Sequence, residues 1–187
     1  PLTLVREGRS DYVIYVEAGA PGSVKQAATE LQDYLAQATG AKLPVVNTPQ
    51  AAMLALGDTP ALQAAGLSTK AMALESFRVV TRDGVVYIFG PDTAEGQSTP
   101  GGGTSAGTRN GVYSFLERFV GVRWLMPGPH GDYVPRLTSL TVPDTDWQEA
   151  PAFLNRRLPY IQEKRADVRL WAARQKLGLS LGLYHSH

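Results

Sequence analysis

The chain has 187 residues, 43% of them hydrophobic and 19% charged, a balance that supports a packed core and excludes a disordered chain. Its 18 Lys and Arg against 17 Asp and Glu give a net charge of +1, and the basic residues are scattered, so there is no electrostatic footprint for nucleic acid. Cysteine is absent, which excludes disulfides and thiolate metal centres, and no apolar run reaches the ~20 residues of a membrane-spanning helix.

This length holds one domain of ordinary size and part of another. Pro1 at the start, in place of Met, fits a processed or trimmed product, left by signal-peptide removal or by cloning of a fragment. Residues 2–6 and 12–16 are rich in β-favouring side chains and are expected as short strands, with a turn over residues 8–11. Pro21, Gly22 and Ser23 then open a helix, with Ser23 as the expected N-cap. Ala27, Leu31, Tyr34, Leu35 and Ala38 recur at intervals of three and four and form one apolar stripe, with Glu30 and Asp33 expected on the other side. Gly40 supplies the left-handed stop.

Strands are expected over residues 43–46 and 53–57, then short helical turns through the Ala/Leu-rich residues 58–74. Asp83-Gly84 between two β-branched runs predicts a hairpin of residues 76–82 and 85–90 with a type I′ turn, Tyr87 and Phe89 on one face and Val86 and Ile88 on the other. Residues 91–106 are polar and Gly-rich. A second helix is expected over residues 110–120, with Val112, Phe115, Leu116 and Phe119 on its buried stripe and Gly121 as its cap. Strands at residues 122–125 and 137–142 enclose a Pro/Gly turn at 127–131, and Pro143 closes the domain. This order predicts an α+β fold: a mixed sheet with two main helices packed mainly on one face.

Few of these residues form a pattern that carries chemistry. The Gly-rich loop between a strand and a helix has the placement of a phosphate cradle, yet neither GxxxxGK[ST] nor GxGxxG is present, so a mobile surface connection is the expected role. Trp124 beside Arg123 serves either core packing or sugar stacking, and Trp147 before Pro151 is expected at a domain junction. Glu117, Asp144, Asp146, Glu149 and Glu163 are dispersed, in contrast to the paired carboxylates of glycoside hydrolysis, and each is expected to be solvated. His185 and His187 share one side of a strand-like run, but two imidazoles alone make an incomplete metal site, and no metal or other cofactor is expected.

Three phrases carry a family resemblance. AATELQDYLAQATGAKLPVV, SFRVVTRDGVVYIFG and NGVYSFLERFVGVRWLMPG resemble successive elements of the α+β, zincin-like module that precedes the barrel in glycoside hydrolase families 20 and 67, the hexosaminidase-like and alpha-glucuronidase-like enzymes. They are closest to an uncharacterised bacterial glycosidase-like group, often secreted and polysaccharide-degrading. The resemblance spans about residues 10–143 and implies an accessory domain over residues 1–146, without an active site and without the HExxH of true zincins. It further implies that residues 147–187 are a linker and an incomplete β-α-β start of a (β/α)8 barrel, with APAFLNRR leading into its first strand (153–158), a helix over 163–177 and a second strand over 179–184. On that reading Arg156, Arg157, His185 and His187 end the two strands and line the substrate pocket, with an interdomain salt bridge as the other role open to the arginines. The implied partners are the missing catalytic barrel and the parent protein's carbohydrate substrate, and the implied location is secreted or periplasmic.

Overall fold

The hydrophobic runs of the sequence meet in two layers on either side of one sheet. The structure is a computed structural model that describes residues 1–158 and 164–178. Along the chain, β1 (Leu2–Arg6) and β2 (Val13–Val16) lead into α1 (Gly22–Thr39), followed by β3 (Val45–Val46), β4 (Met53–Leu56) and the short α2 (Pro60–Ala64). The hairpin β5 (Phe77–Arg82) and β6 (Val85–Phe89) precedes α3 (Gly107–Phe115), and then come β7 (Arg123–Trp124), β8 (Asp132–Tyr133), β9 (Ser139–Val142), β10 (Asp146–Glu149) and α4 (Ala166–Arg174).

Six strands form the main sheet in the order β10-β5-β6-β4-β2-β3. β2, β3, β4 and β6 are parallel, and β5 and β10 add antiparallel strands at one side. Alternation along the strands sends Ile14, Leu54, Val86 and Ile88 to one face, where they pack against Leu31 and Leu35 of α1 and Val112 and Phe115 of α3. Tyr15, Met53, Ala55, Tyr87 and Phe89 face the other way, under Leu62 of α2 and Leu67. The expected mixed α+β sheet with both main helices on one face is therefore the observed one. The Asp83-Gly84 turn has positive φ at both residues (50° and 81°), as a type I′ turn demands.

Several local expectations are corrected. Pro21, not Ser23, is the N-cap of α1, and the N–H of Gly22 donates instead to Glu95 Oε2 from the Gly-rich loop, at 3.2 Å. Glu30 is buried rather than outward-facing. β1 pairs antiparallel with β9 in a separate two-stranded sheet. The second helix is α-helical only to Phe115 and continues as a π-helical turn over Leu116–Val120 before Gly121 ends it. The Gly-rich loop is tied at its base: Asp92 and Ala106 form a bridge, and Ser105 Oγ donates to the Pro91 carbonyl at 2.6 Å. Residues beyond Pro143 add an edge strand, β10, whose Asp146 remains exposed, as expected, and receives two 2.7 Å hydrogen bonds from Arg78. Residues 153–158 form no strand. They contribute one isolated antiparallel bridge between Arg156 and Gly178, and the expected second strand at 179–184 lies outside the described residues.

α3 lies unusually close to the sheet. A Cβ on Gly107 would stand 2.3 Å from the Ser76 carbonyl oxygen, one on Gly90 2.2 Å from the same atom, and one on Gly111 2.9 Å from Ile88. Glycine at 90 and 107 lets backbone meet backbone and fixes the start of α3 over the end of β6, while Gly111 makes room for the Ile88 and Phe77 side chains.

Candidate functional site

The densest polar chemistry lies where residues 151–178 dock on the α1/α3 face. Each ion pair that joins this segment to the rest of the described chain has its base in the segment and its acid in the preceding domain. Arg174, on α4, donates from Nε and Nη2 to Glu30 Oε1 at 2.9 and 2.8 Å, and from Nη1 to Asp132 at 3.4 Å. Arg156 donates from Nη2 to Glu75 Oε2 at 2.6 Å. Lys176 Nζ donates to Glu117 Oε2 at 2.9 Å and contacts Ser114 Oγ at 3.1 Å.

Glu30 is the centre of the first contact. α1 places it one turn from Tyr34, and its second oxygen accepts from the Tyr113 hydroxyl at 2.5 Å. Tyr34 donates to Asp132 at 2.5 Å and accepts from Trp124 Nε1 at 2.9 Å. The Arg174 guanidinium also lies 5.3 Å from the Tyr34 ring centre and 5.7 Å from that of Trp124, so it is held by acids and aromatic faces together. Burial raises the Tyr113 phenol and the Tyr34 phenol, and the neighbouring carboxylates Glu30 and Asp132 add to the effect, so both remain protonated donors. Burial acts against the charge of Arg174, but the hydrogen bonds and charge of Glu30 outweigh it and keep the guanidinium ionised.

Apolar and backbone contacts reinforce these pairs. Trp171 packs against the main core and donates from Nε1 to the Trp124 carbonyl at 3.0 Å, and Gln175 donates to the same oxygen at 2.7 Å. Arg156 also donates from Nε to Lys176 O and from Nη1 to the carbonyls of Phe153 and Leu154. Its guanidinium thus ties two stretches of chain, at residues 153–154 and 176, to Glu75, whose other oxygen accepts from the Ala106 N–H at 2.6 Å, at the start of α3.

Of the four expected pocket residues, Arg156 therefore lies in an ion pair between segment and domain, and Arg157 is exposed. His185 and His187 lie outside the described residues. His130 is exposed, and among the described residues no group of three His, Asp or Glu side chains has the geometry to hold a metal. Trp124 is buried at 3% exposure, as core packing requires, and Arg123 faces outward. Trp147 meets Phe77 edge-on at 5.1 Å, and Arg118 covers its ring at 4.3 Å. Glu117, expected to be solvated, is half-buried against Lys176.

Glu30, Glu75, Asp92, Asp132 and Arg174 escaped the sequence reading as site residues. For Glu30 a signal existed: positions 27, 30, 31, 34, 35 and 38 form one continuous helical stripe, and a carboxylate inside it asks for a buried partner. Glu75, Asp92 and Asp132 lie outside helices and regular alternation, so no periodicity marks them.

No known protein family and no curated protein sequence matches the chain. Solved structures do. One is a family GH115 4-O-methyl-alpha-glucuronidase with specificity for decorated arabinogalactans, 14% identical, with a TM-score of 0.56 over 81% of this chain and 19% of that one. Another is the GH20 beta-N-acetylhexosaminidase of Streptomyces coelicolor A3(2), 18% identical, with a TM-score of 0.51 over 83% of this chain and 24% of that one. At these identities the likeness is one of fold. The chain spans about a fifth to a quarter of the length of these neighbours.

Proposed function

We propose that this chain is the non-catalytic N-terminal accessory domain of a glycoside hydrolase-like protein, which buttresses a catalytic barrel that acts on polysaccharide or oligosaccharide. The observation that carries this reading is the one-sided clamp: acids of the domain hold bases of the segment that leads out of it. A domain built to carry the next part of a polypeptide needs such a grip, with charged pairs to fix register and Trp171 to fill the seam. The fold shared with portions of two glycoside hydrolases supports the same assignment. Residues 151–178 then form the junction, and Arg156 acts as a tie between domain and barrel rather than as a substrate ligand.

The state of the acids supports the absence of chemistry. Hydrolysis needs two carboxylates facing a sugar across a gap. At the clamp, Glu30, Glu75 and Asp132 instead each accept hydrogen bonds from within the fold. The test is an assay of the 187-residue chain on a panel of p-nitrophenyl glycosides, including beta-N-acetylglucosaminide. No release above a heat-inactivated control is expected. Turnover that disappears with Glu30→Gln or Glu75→Gln, in variants that remain folded, overturns the proposal.

A further inference from the structure

A second feature, remote from the clamp, lies at the carboxyl ends of the parallel strands. From β2 the chain passes through α1 to β3 on one side, and then crosses back to β4 on the other side of β2. The strand order therefore reverses between β2 and β4. α1 covers one face of the sheet, whereas Leu62 of α2 packs on the opposite face. Adjacent parallel strands whose connections leave toward opposite faces open a crevice beyond their carboxyl ends, the topological switch point where open α/β sheets take ligands.

This crevice is present here as a cavity of about 540 Å³, within the usual range for small-molecule sites. Its walls come from the residues after β2, after β4 and after β6. Glu17, Asp58 and Asp92 line it, and no Lys or Arg is among its described lining residues. The donors that would attract an anion are already in use. The Gly22 N–H at the start of α1 is taken by Glu95, and the Leu62 N–H of α2 is taken by the Thr59 hydroxyl at 3.1 Å. Phosphates and carboxylates are therefore excluded on charge. Glu17 accepts from the Tyr15 hydroxyl, Asp58 from Gln63 and Thr69, and Asp92 from Thr108, which leaves Glu17 Oε2 and the second lone pairs of the other oxygens to accept from hydroxyl donors. Pro21, Val24 and Leu56 supply apolar wall for a C–H face.

We propose that the cavity at the β2/β4 switch point binds a small, uncharged, hydroxyl-rich molecule of monosaccharide size. The site is independent of the clamp and stands or falls without the accessory-domain reading.

The test is amide NMR on the ¹⁵N-labelled 187-residue chain, with glucose and glucuronate as matched neutral and anionic probes at up to high millimolar concentration. Glucose is expected to move the amides of Gly19, Gly57 and Gly90 together, and glucuronate to bind at least about tenfold more weakly because like charges meet. Ala20→Trp and Thr69→Trp narrow the cavity from opposite walls, and either variant with an otherwise unchanged spectrum is expected to abolish the glucose shifts. Three results overturn the proposal: no localised shift with glucose, glucose shifts that survive in a folded cavity-filling variant, or glucuronate binding as tightly as glucose.

Discussion

Burial disfavours the charged form of both Asp92 and Arg174, and it prevails only at Asp92. Burial pushes the Asp92 carboxyl up to about 6, against the pull of the Thr108 hydrogen bonds and the Arg109 charge. The folded state therefore holds its proton more tightly than the unfolded chain, whose carboxyl has the ordinary value of 3.8. Stability is expected to fall as pH rises from about 4 to about 6, by at most about 3 kcal/mol from this residue. Asp146 acts oppositely and elsewhere: Arg78 lowers its carboxyl, so its contribution is lost only as pH drops below the ordinary carboxylate value. Urea midpoints of wild type and Asp92→Asn, measured between pH 4 and 7, isolate the effect, because the difference between them should vanish at low pH and open as pH rises. A difference that is constant across this range refutes the assignment. For Arg174 the expectation concerns a partner left behind. Arg174→Ala strands Glu30 in a site where its side chain is only 11% exposed, at a cost of about 3–5 kcal/mol. Adding Glu30→Gln should restore part of that loss, since a neutral amide needs no counter-charge, and a cycle of denaturation measurements gives the coupling. Simple additivity of the two changes contradicts the pairing.

At the level of elements, α3 depends on the absence of side chains. Gly107→Ala forces a Cβ to 2.3 Å from the Ser76 carbonyl oxygen, with Pro91 N at 2.9 Å, and both obstacles are backbone. The start of α3 must then lift from β6, for about 2–3 kcal/mol of stability. Gly19→Ala, with nothing within 4 Å of the new atom, is the matched control and should be near neutral. Thermal melts of the two variants compare them directly, and equal midpoints refute the close-approach argument. The same element marks the limit of what the sequence discloses. The stripes of α1 and α3 and the Asp83-Gly84 hairpin were legible because their signals are local periods and a local turn. β10 was not: Asp-Trp-Gln-Glu after a proline carries no strand signal, and it becomes a strand through pairing with β5 and the Arg78–Asp146 bonds. Residues 153–158 failed in the opposite sense, since Arg156 spends its backbone on one bridge to Gly178 and its guanidinium on Glu75 and three carbonyls. Such partners lie 20 to 81 residues away or in irregular chain, beyond the reach of any window along the sequence.

For the whole molecule, the division between scaffold and clamp has a thermodynamic consequence. Every buried residue of the two core clusters lies between Leu4 and Val142, and Val168 is the one buried apolar side chain beyond them among the described residues. The hydrophobic driving force of the fold thus belongs to the first 150 residues, and the segment that follows adds mainly electrostatic and aromatic contacts. A chain ending at Ala150 is expected to keep its far-UV circular dichroism and to unfold cooperatively, because its core is complete. It should nevertheless be less stable than the full chain. Removing Arg156, Arg174 and Lys176 leaves Glu75, Glu30, Asp132 and Glu117 without their cations on one face. Those acids become hydrated and repel one another through solvent, so added salt should raise the urea midpoint of the shortened chain more than that of the full chain. Salt curves for the two lengths test both halves of the argument. An unfolded shortened chain shows that the scaffold needs the segment for its core, and identical salt dependence shows that the acid–base clamp is not what holds the segment in place.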